Sequence, residues 1–208
     1  KWVYRKIESF DKEGYHIILI GNPEHAEIIA SRSYSDKISV VYSEEDIDRL
    51  PEDLGKTVAI CQTTITREKF DRLVNYVRKT RYPGLIAVDT RCKPVKNQQE
   101  AVEELAQSVD AMIVIGGLNS SNTTNLARIA SAFLKNTTYH IDSPDIIQPG
   151  WLESIKKLGL AAGTSTPKSQ IEDVKQRIAE MYDGKVIFRE GVFKDQGHDW
   201  QMAEVSPL

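Results

Sequence analysis

Residues 113–123 read Ile113-Val114-Ile115-Gly116-Gly117-Leu118-Asn119-Ser120-Ser121-Asn122-Thr123. An apolar run predicts a buried strand, two glycines end it, and the serines and asparagines suit the start of a helix. The same order of parts recurs outward along the chain. Upstream, His16-Ile17-Ile18-Leu19-Ile20 is broken by Gly21-Asn22-Pro23, with Pro23 suited to the first turn of a helix over 24–29. Strands are expected at 38–42, 57–61, 85–88, 111–115, 138–141 and 158–162. Helices are expected at about 2–12, 66–79, 95–107, 123–134, 151–157 and 167–181, and Ser43 caps an acidic turn through Asp46. Short apolar strands alternating with amphipathic helices make an α/β protein with mainly parallel sheets. A TIM barrel needs more chain than these 208 residues.

The two halves read as copies of one unit. Ile18-Leu19-Ile20-Gly21 matches Ile113-Val114-Ile115-Gly116 at an offset of 95. Val58 to Thr64 matches Leu160 to Thr166 at an offset of 102. The expected architecture is two pseudo-symmetric α/β lobes facing a cleft, 1–83 and 84–208, divided at the turn Arg81-Tyr82-Pro83-Gly84. From about Arg189 the periodicity fades into a C-terminal tail, read as either a strand or a wrapping segment.

Composition narrows the classes. A net charge of -3 and a pI near 5.9 argue against a large nucleic-acid footprint. No apolar run approaches the ~18 residues of a membrane span, and no signal-peptide pattern opens the chain. Two cysteines, Cys61 and Cys92, cannot staple a secreted scaffold. A cytoplasmic protein without nucleic-acid or membrane partners is expected. The chain opens on Lys1, as a fragment or processed chain would.

The candidate chemistry sits where strands meet helices. Gly116 to Thr123 combines glycines, which admit close backbone approach, with hydroxyl and amide donors and a helix start, a setting suited to phosphate. Gly163-Thr164-Ser165-Thr166-Pro167 and Gln62-Thr63-Thr64 are further turns of this kind, and ligands of open α/β sheets lie beyond the carboxyl ends of strands. Each of the two could equally be a helix cap. His25 and Glu27 could be an anion donor and a proton donor, or a solvated histidine and an acid favoured by the helix dipole. Cys92, in Asp89-Thr90-Arg91-Cys92-Lys93-Pro94, could be a thiolate activated by Lys93 or a metal ligand. Cys61 reads as a buried small hydrophobe, and the four histidines show no metal spacing.

Together these turns resemble the 4-hydroxy-3-methylbut-2-enyl diphosphate reductase family. The matching pieces are Ile20-Gly21 with His25-Ala26-Glu27, Gln62-Thr63-Thr64, Cys92 with Asn97 to Ala101, Gly116-Gly117 with Asn119 to Asn122, and Ala162 to Pro167. The resemblance implies three α/β lobes around a 4Fe-4S cluster, with this chain as the second and third lobes. It implies Cys92 as a cluster ligand, Ser120, Ser121, Asn122 and Ser165 on the diphosphate, Glu27 and Thr63 as the catalytic proton path, and His25 on the substrate. The implied reaction is reductive dehydroxylation of an allylic diphosphate to isopentenyl and dimethylallyl diphosphate, with electrons from ferredoxin or flavodoxin. Ser120, Ser121, Asn122, Ser165, Glu27 and Thr63 are expected to line one cleft. The first lobe, with two cysteines, is expected to lie outside this chain, so these residues alone should hold no cluster and reduce no substrate. Ala26, Ala30, Val95, Lys96 and Gln98 depart from the family pattern, which usually has Arg where Gln98 stands. A non-catalytic diphosphate-binding module, or a phosphosugar enzyme with no role for Cys92, would also use such turns.

Overall fold

Most residues of the first three strands of each half are apolar without alternation because each sheet is covered on both faces. The computed structural model describes residues 2–182, 186–190 and 201–205. The chain divides into two compact units, Lys1–Cys92 and Lys93–Leu208.

In the first unit the order is α1 (Trp2–Lys12), β1 (His16–Ile20), α2 (Ala26–Ser31), β2 (Ile38–Val41), α3 (Glu44–Asp48), β3 (Thr57–Cys61), α4 (Arg67–Thr80) and β4 (Ile86–Val88). The strands form one parallel sheet in the order β2-β1-β3-β4. Ile18, Ile20, Ala59 and Cys61 pack on Phe70, Leu73, Val74 and Val77 of α4. The alternate residues Ile17, Leu19, Val58 and Ile60 pack on Val3 and Ile7 of α1 and Ile28 of α2. Full burial of each such side chain is worth roughly 1.5–3 kcal/mol. Ser43 and Asp46 cap α3 reciprocally, as their spacing predicts.

In the second unit the order is α5 (Lys93–Ala106), β5 (Ala111–Ile115), α6 (Ser121–Phe133), β6 (Thr138–Ile141), β7 (Lys157–Ala162), α7 (Lys168–Met181), β8 (Val186–Glu190) and β9 (Gln201–Val205). The sheet order is β6-β5-β7-β9-β8, parallel through β7, with β9 antiparallel to both its neighbours. Ile113, Ile115 and Leu160 face Ile171, Val174 and Ile178 of α7, while Met112, Val114 and Ala161 face α5 and α6. Among the described residues no helix is long and apolar enough to cross a membrane.

Four sequence expectations are revised. β4 pairs with β3, so residues 84–92 belong to the first unit, and the division falls after Cys92 rather than at Pro83–Gly84. No helix forms over 151–157: Pro149–Trp151 make a single 3-10 turn, Ser154 adopts φ 64°, and Lys157 is already extended in β7. Pro23 precedes its helix, which starts at Ala26 under a His25 cap, and Pro167 is itself an N-cap. The internal repeat holds at an offset of 95 between β1 and β5, since Ile20 pairs with Cys61 as Ile115 pairs with Ala162. That same register sets the β3-to-β7 offset at 101, not 102, so Thr63 corresponds to Thr164 and Thr64 to Ser165. His198 and most of the tail after Arg189 lie outside the described residues.

Candidate functional site

In the first unit the site grows from the ends of β1 and β3. A Cβ on Gly21 would sit 2.5 Å from Ile28 Cδ1 and 2.9 Å from Gln62 Cβ, so only glycine lets α2 lie this close to β1. The turn after β3 is fixed by Gln62, whose Oε1 accepts from the Asn22 amide at 3.0 Å and whose Nε2 donates to Thr64 Oγ1 at 2.8 Å. His25 caps α2, its Nδ1 accepting from the Glu27 amide at 3.2 Å. A neutral ring accepting at Nδ1 carries its proton on Nε2, which is left to donate outward.

This framework brings Glu27 onto Thr63. The Thr63 amide donates to Glu27 Oε1 at 3.0 Å and the Thr63 hydroxyl to Oε2 at 2.6 Å. Two donors on two oxygens fix the carboxylate plane. The Thr63 oxygen keeps lone pairs to accept from a further group, so it can pass a proton on. Glu27, Thr63, Thr90 and Cys92 line an open cavity of about 540 Å³ with Trp2 and Tyr4 on its wall.

The cysteines differ sharply. Cys61 is fully buried, and burial pushes its thiol up to about 11. The Thr90 hydroxyl accepts from the Cys61 amide at 2.8 Å and donates to the Cys61 carbonyl. Cys92 is exposed, with its amide donating to the Thr63 carbonyl at 3.4 Å. The cation fixed in this segment is Arg91 rather than Lys93. Its Nε reaches Asp89 Oδ1 at 3.0 Å and its NH2 reaches Oδ2 at 2.8 Å. The Asp-x-Arg spacing was the available signal for this bidentate pair.

An iron–sulfur cluster takes three or four thiolates. Cys92 suits one such position, while Cys61 is buried, hydrogen-bonded and held protonated. Among the described residues no three His, Cys, Asp or Glu side chains gather as a metal site. The described donors do not by themselves fit the cluster.

In the second unit two strand ends close on each other. The Gly163 amide and the Thr166 hydroxyl both donate to the Ile115 carbonyl, at 2.9 and 3.1 Å. The turn that bears exposed Ser165 is thereby joined to the start of the Gly116–Ser120 turn. His140 Nε2 holds the Gly116 carbonyl at 3.1 Å. Ser120 caps α6 by accepting from the Thr123 amide at 3.3 Å, leaving its O–H free to donate. Asn122 is 5% exposed; its Nδ2 donates to Gln98 Oε1 at 2.7 Å and its Oδ1 has no partner. Reading Asn122 as a plain ligand donor is therefore incomplete, since one amide proton is spent on a buried neighbour.

Gly116 has φ 143°, and a Cβ there would meet Thr166 Oγ1 at 2.6 Å and Thr123 Oγ1 at 2.9 Å. Gly116→Ala is expected to destabilise the second unit by about 2–4 kcal/mol through strain and overpacking. Gly117→Ala, where a Cβ meets nothing within 4 Å, should change stability by less than about 0.5 kcal/mol. Urea unfolding of the two variants checks the contrast.

Residues 1–179 match the LytB protein family. The 4-hydroxy-3-methylbut-2-enyl diphosphate reductase of Neorickettsia sennetsu is 34% identical over 173 residues, covering 83% of this chain and 56% of that protein. The reductase of the same name from Aquifex aeolicus is 35% identical over 195 residues, covering 90% of this chain and 65% of its own length. The chain thus spans between about half and two thirds of these relatives. A solved structure of (E)-4-hydroxy-3-methyl-but-2-enyl diphosphate reductase, called the terminal enzyme of the non-mevalonate pathway, superposes with a TM-score of 0.53 at 35% identity, covering 86% of this chain and 64% of that one. The Plasmodium falciparum E-1-hydroxy-2-methyl-but-2-enyl-4-diphosphate reductase superposes with a TM-score of 0.78 at 23% identity, over 85% of this chain and 56% of that one, a likeness of fold. A match that runs through both units and every strand-to-helix turn described above places the chain in the LytB protein family.

Proposed function

We propose that the complete protein is a 4-hydroxy-3-methylbut-2-enyl diphosphate reductase, an iron–sulfur oxidoreductase of isoprenoid biosynthesis in the cytoplasm. This chain supplies its proton path and its diphosphate loop. The observation that carries the reading is the Glu27 carboxylate held by both the amide and the hydroxyl of Thr63 on a cavity wall shared with Cys92. Net reductive dehydroxylation breaks the allylic C–O bond, takes up two electrons and two protons, and releases water. Glu27 provides a positioned acid for the protonations, with Thr63 refilling it. His25 offers Nε2–H to the substrate.

The diphosphate is taken by the hydroxyls of Ser120, Ser121 and Ser165 and the remaining Nδ2 proton of Asn122, with the positive end of the α6 dipole beside them. Cys92 supplies one thiolate to a 4Fe-4S cluster whose other ligands lie outside this chain. The electrons, from ferredoxin or flavodoxin, also enter from outside. By itself the 208-residue chain reduces nothing and binds diphosphate weakly, with a Kd near ~1 mM, or about -4 kcal/mol.

Calorimetric titration with inorganic pyrophosphate tests the loop. Ser165 is exposed, so Ser165→Ala costs the fold little. It should weaken binding by about tenfold, as expected for one hydrogen bond to a charged group. Replacing Lys6 on α1 should leave the affinity in place. Equal affinity for Ser165→Ala and the parent chain would mean that the anion site is elsewhere.

A further inference from the structure

The carbonyl of Ala162 can only accept. Gln98 Nε2 donates to it at 2.6 Å, so the Gln98 amide has its nitrogen toward β7 and its oxygen away. That oxygen meets Asn122 at 2.7 Å, and an amide oxygen there admits only a donor. The Nδ2 end of Asn122 is thereby turned toward Gln98, and Oδ1 is left buried and unpaired. One backbone carbonyl thus orders two side chains, each about 95% buried. Neither amide can swap ends alone, because a swap sets oxygen against oxygen or N–H against N–H.

We propose that Gln98 is a positioning residue that sets the polarity of the Asn122 amide and, in doing so, weakens the diphosphate site at the start of α6. This rests on the reading of that helix start as a diphosphate loop. An anion takes donors, yet Gln98 engages one of the two Nδ2 protons, and the buried, unpaired Oδ1 donates nothing. A side chain made only of donors reverses the order. Arginine at position 98 can donate to the Ala162 carbonyl and to Asn122 Oδ1 together. It pairs the orphaned oxygen and releases both Nδ2 protons to the ligand.

The test is a cycle of pyrophosphate titrations on the full 208-residue chain, read with side-chain amide NMR. Gln98→Arg should bind pyrophosphate about tenfold more tightly, a gain of ~1.4 kcal/mol. The gain should vanish in the Asn122→Ala background, because it acts through that amide rather than through added charge. A merely structural Gln98 predicts weaker binding in Gln98→Arg, and a charge effect predicts the same gain in both backgrounds; either result overturns the proposal. The NMR arm needs no binding. In the parent chain one Asn122 Nδ2 proton should be protected from exchange, and Gln98→Leu should remove that protection. An unprotected Nδ2 in the parent chain overturns the assignment of Gln98. If neither the parent chain nor Gln98→Arg binds pyrophosphate while the Nδ2 proton is protected, the diphosphate reading is what fails, and the proposed effect on affinity falls with it.

Discussion

Glu27→Gln in the complete protein is expected to lower kcat by about 10²–10⁴, the usual contribution of a positioned general acid. The fold should tolerate the change. Glutamine keeps an oxygen for the Thr63 amide, and its Nε2 can donate to the Thr63 hydroxyl, which switches from donor to acceptor. What disappears is the acid. Thr63→Val should give a smaller loss, since it removes the hydroxyl that refills Glu27 but spares the amide contact, and Thr63→Ser should restore the rate. Pyrophosphate binding should be the same in Glu27→Gln as in the parent, because the proposed donors to the anion all lie on residues 116–165. Steady-state reductase assays on the full-length variants, with calorimetry beside them, separate the two effects. Unchanged kcat in Glu27→Gln would remove Glu27 from the proton path.

The first unit should lose about 2 kcal/mol of stability between pH 9 and 11 through Cys61. Burial raises this thiol from 9.0 to about 11 in the folded chain. A group whose folded pKa is raised binds its proton more tightly when folded. Its contribution is therefore complete below pH 9, where both states are protonated, and is lost as pH rises toward 11 and the unfolded thiol ionises. Loss on this scale is a large fraction of the ~5–15 kcal/mol of a typical domain. Urea unfolding at pH 8 and at pH 11 measures it, and Cys61→Ala should remove this part of the alkaline slope. Iodoacetamide at pH 8 should modify exposed Cys92 in the native chain and reach Cys61 only on unfolding. Rapid native labelling of both cysteines would contradict the burial of Cys61.

Strand placement was legible because a strand buried on two faces must be apolar throughout. His16–Ile20, Thr57–Cys61 and Ala111–Ile115 stand where the runs predict. The helix expected over 151–157 failed because apolar Trp151, Leu152 and Ile155 suit a helical face and a buried loop equally well, and Leu152 and Ile155 are buried in the core without a helix. The one-residue slip in the repeat arose because matching letters aligned Thr63 with Ser165. Hydrogen bonding obeys strand register instead, and register aligns Thr63 with Thr164.

The sequence by itself determined the fold class, the positions of the seven parallel strands, and which turns bear hydroxyls, amides and the exposed thiol. These follow from local rules of burial, capping and backbone freedom that act within about ten residues of chain. Tertiary structure alone decided which of those groups meet. Glu27 reaches Thr63 across 36 positions, and Gln98 stands 64 positions from Ala162 and 24 from Asn122. It also decided that Asn122 turns its nitrogen inward. A buried amide takes its orientation from the single acceptor or donor that packing sets before it, and that partner comes from a distant strand.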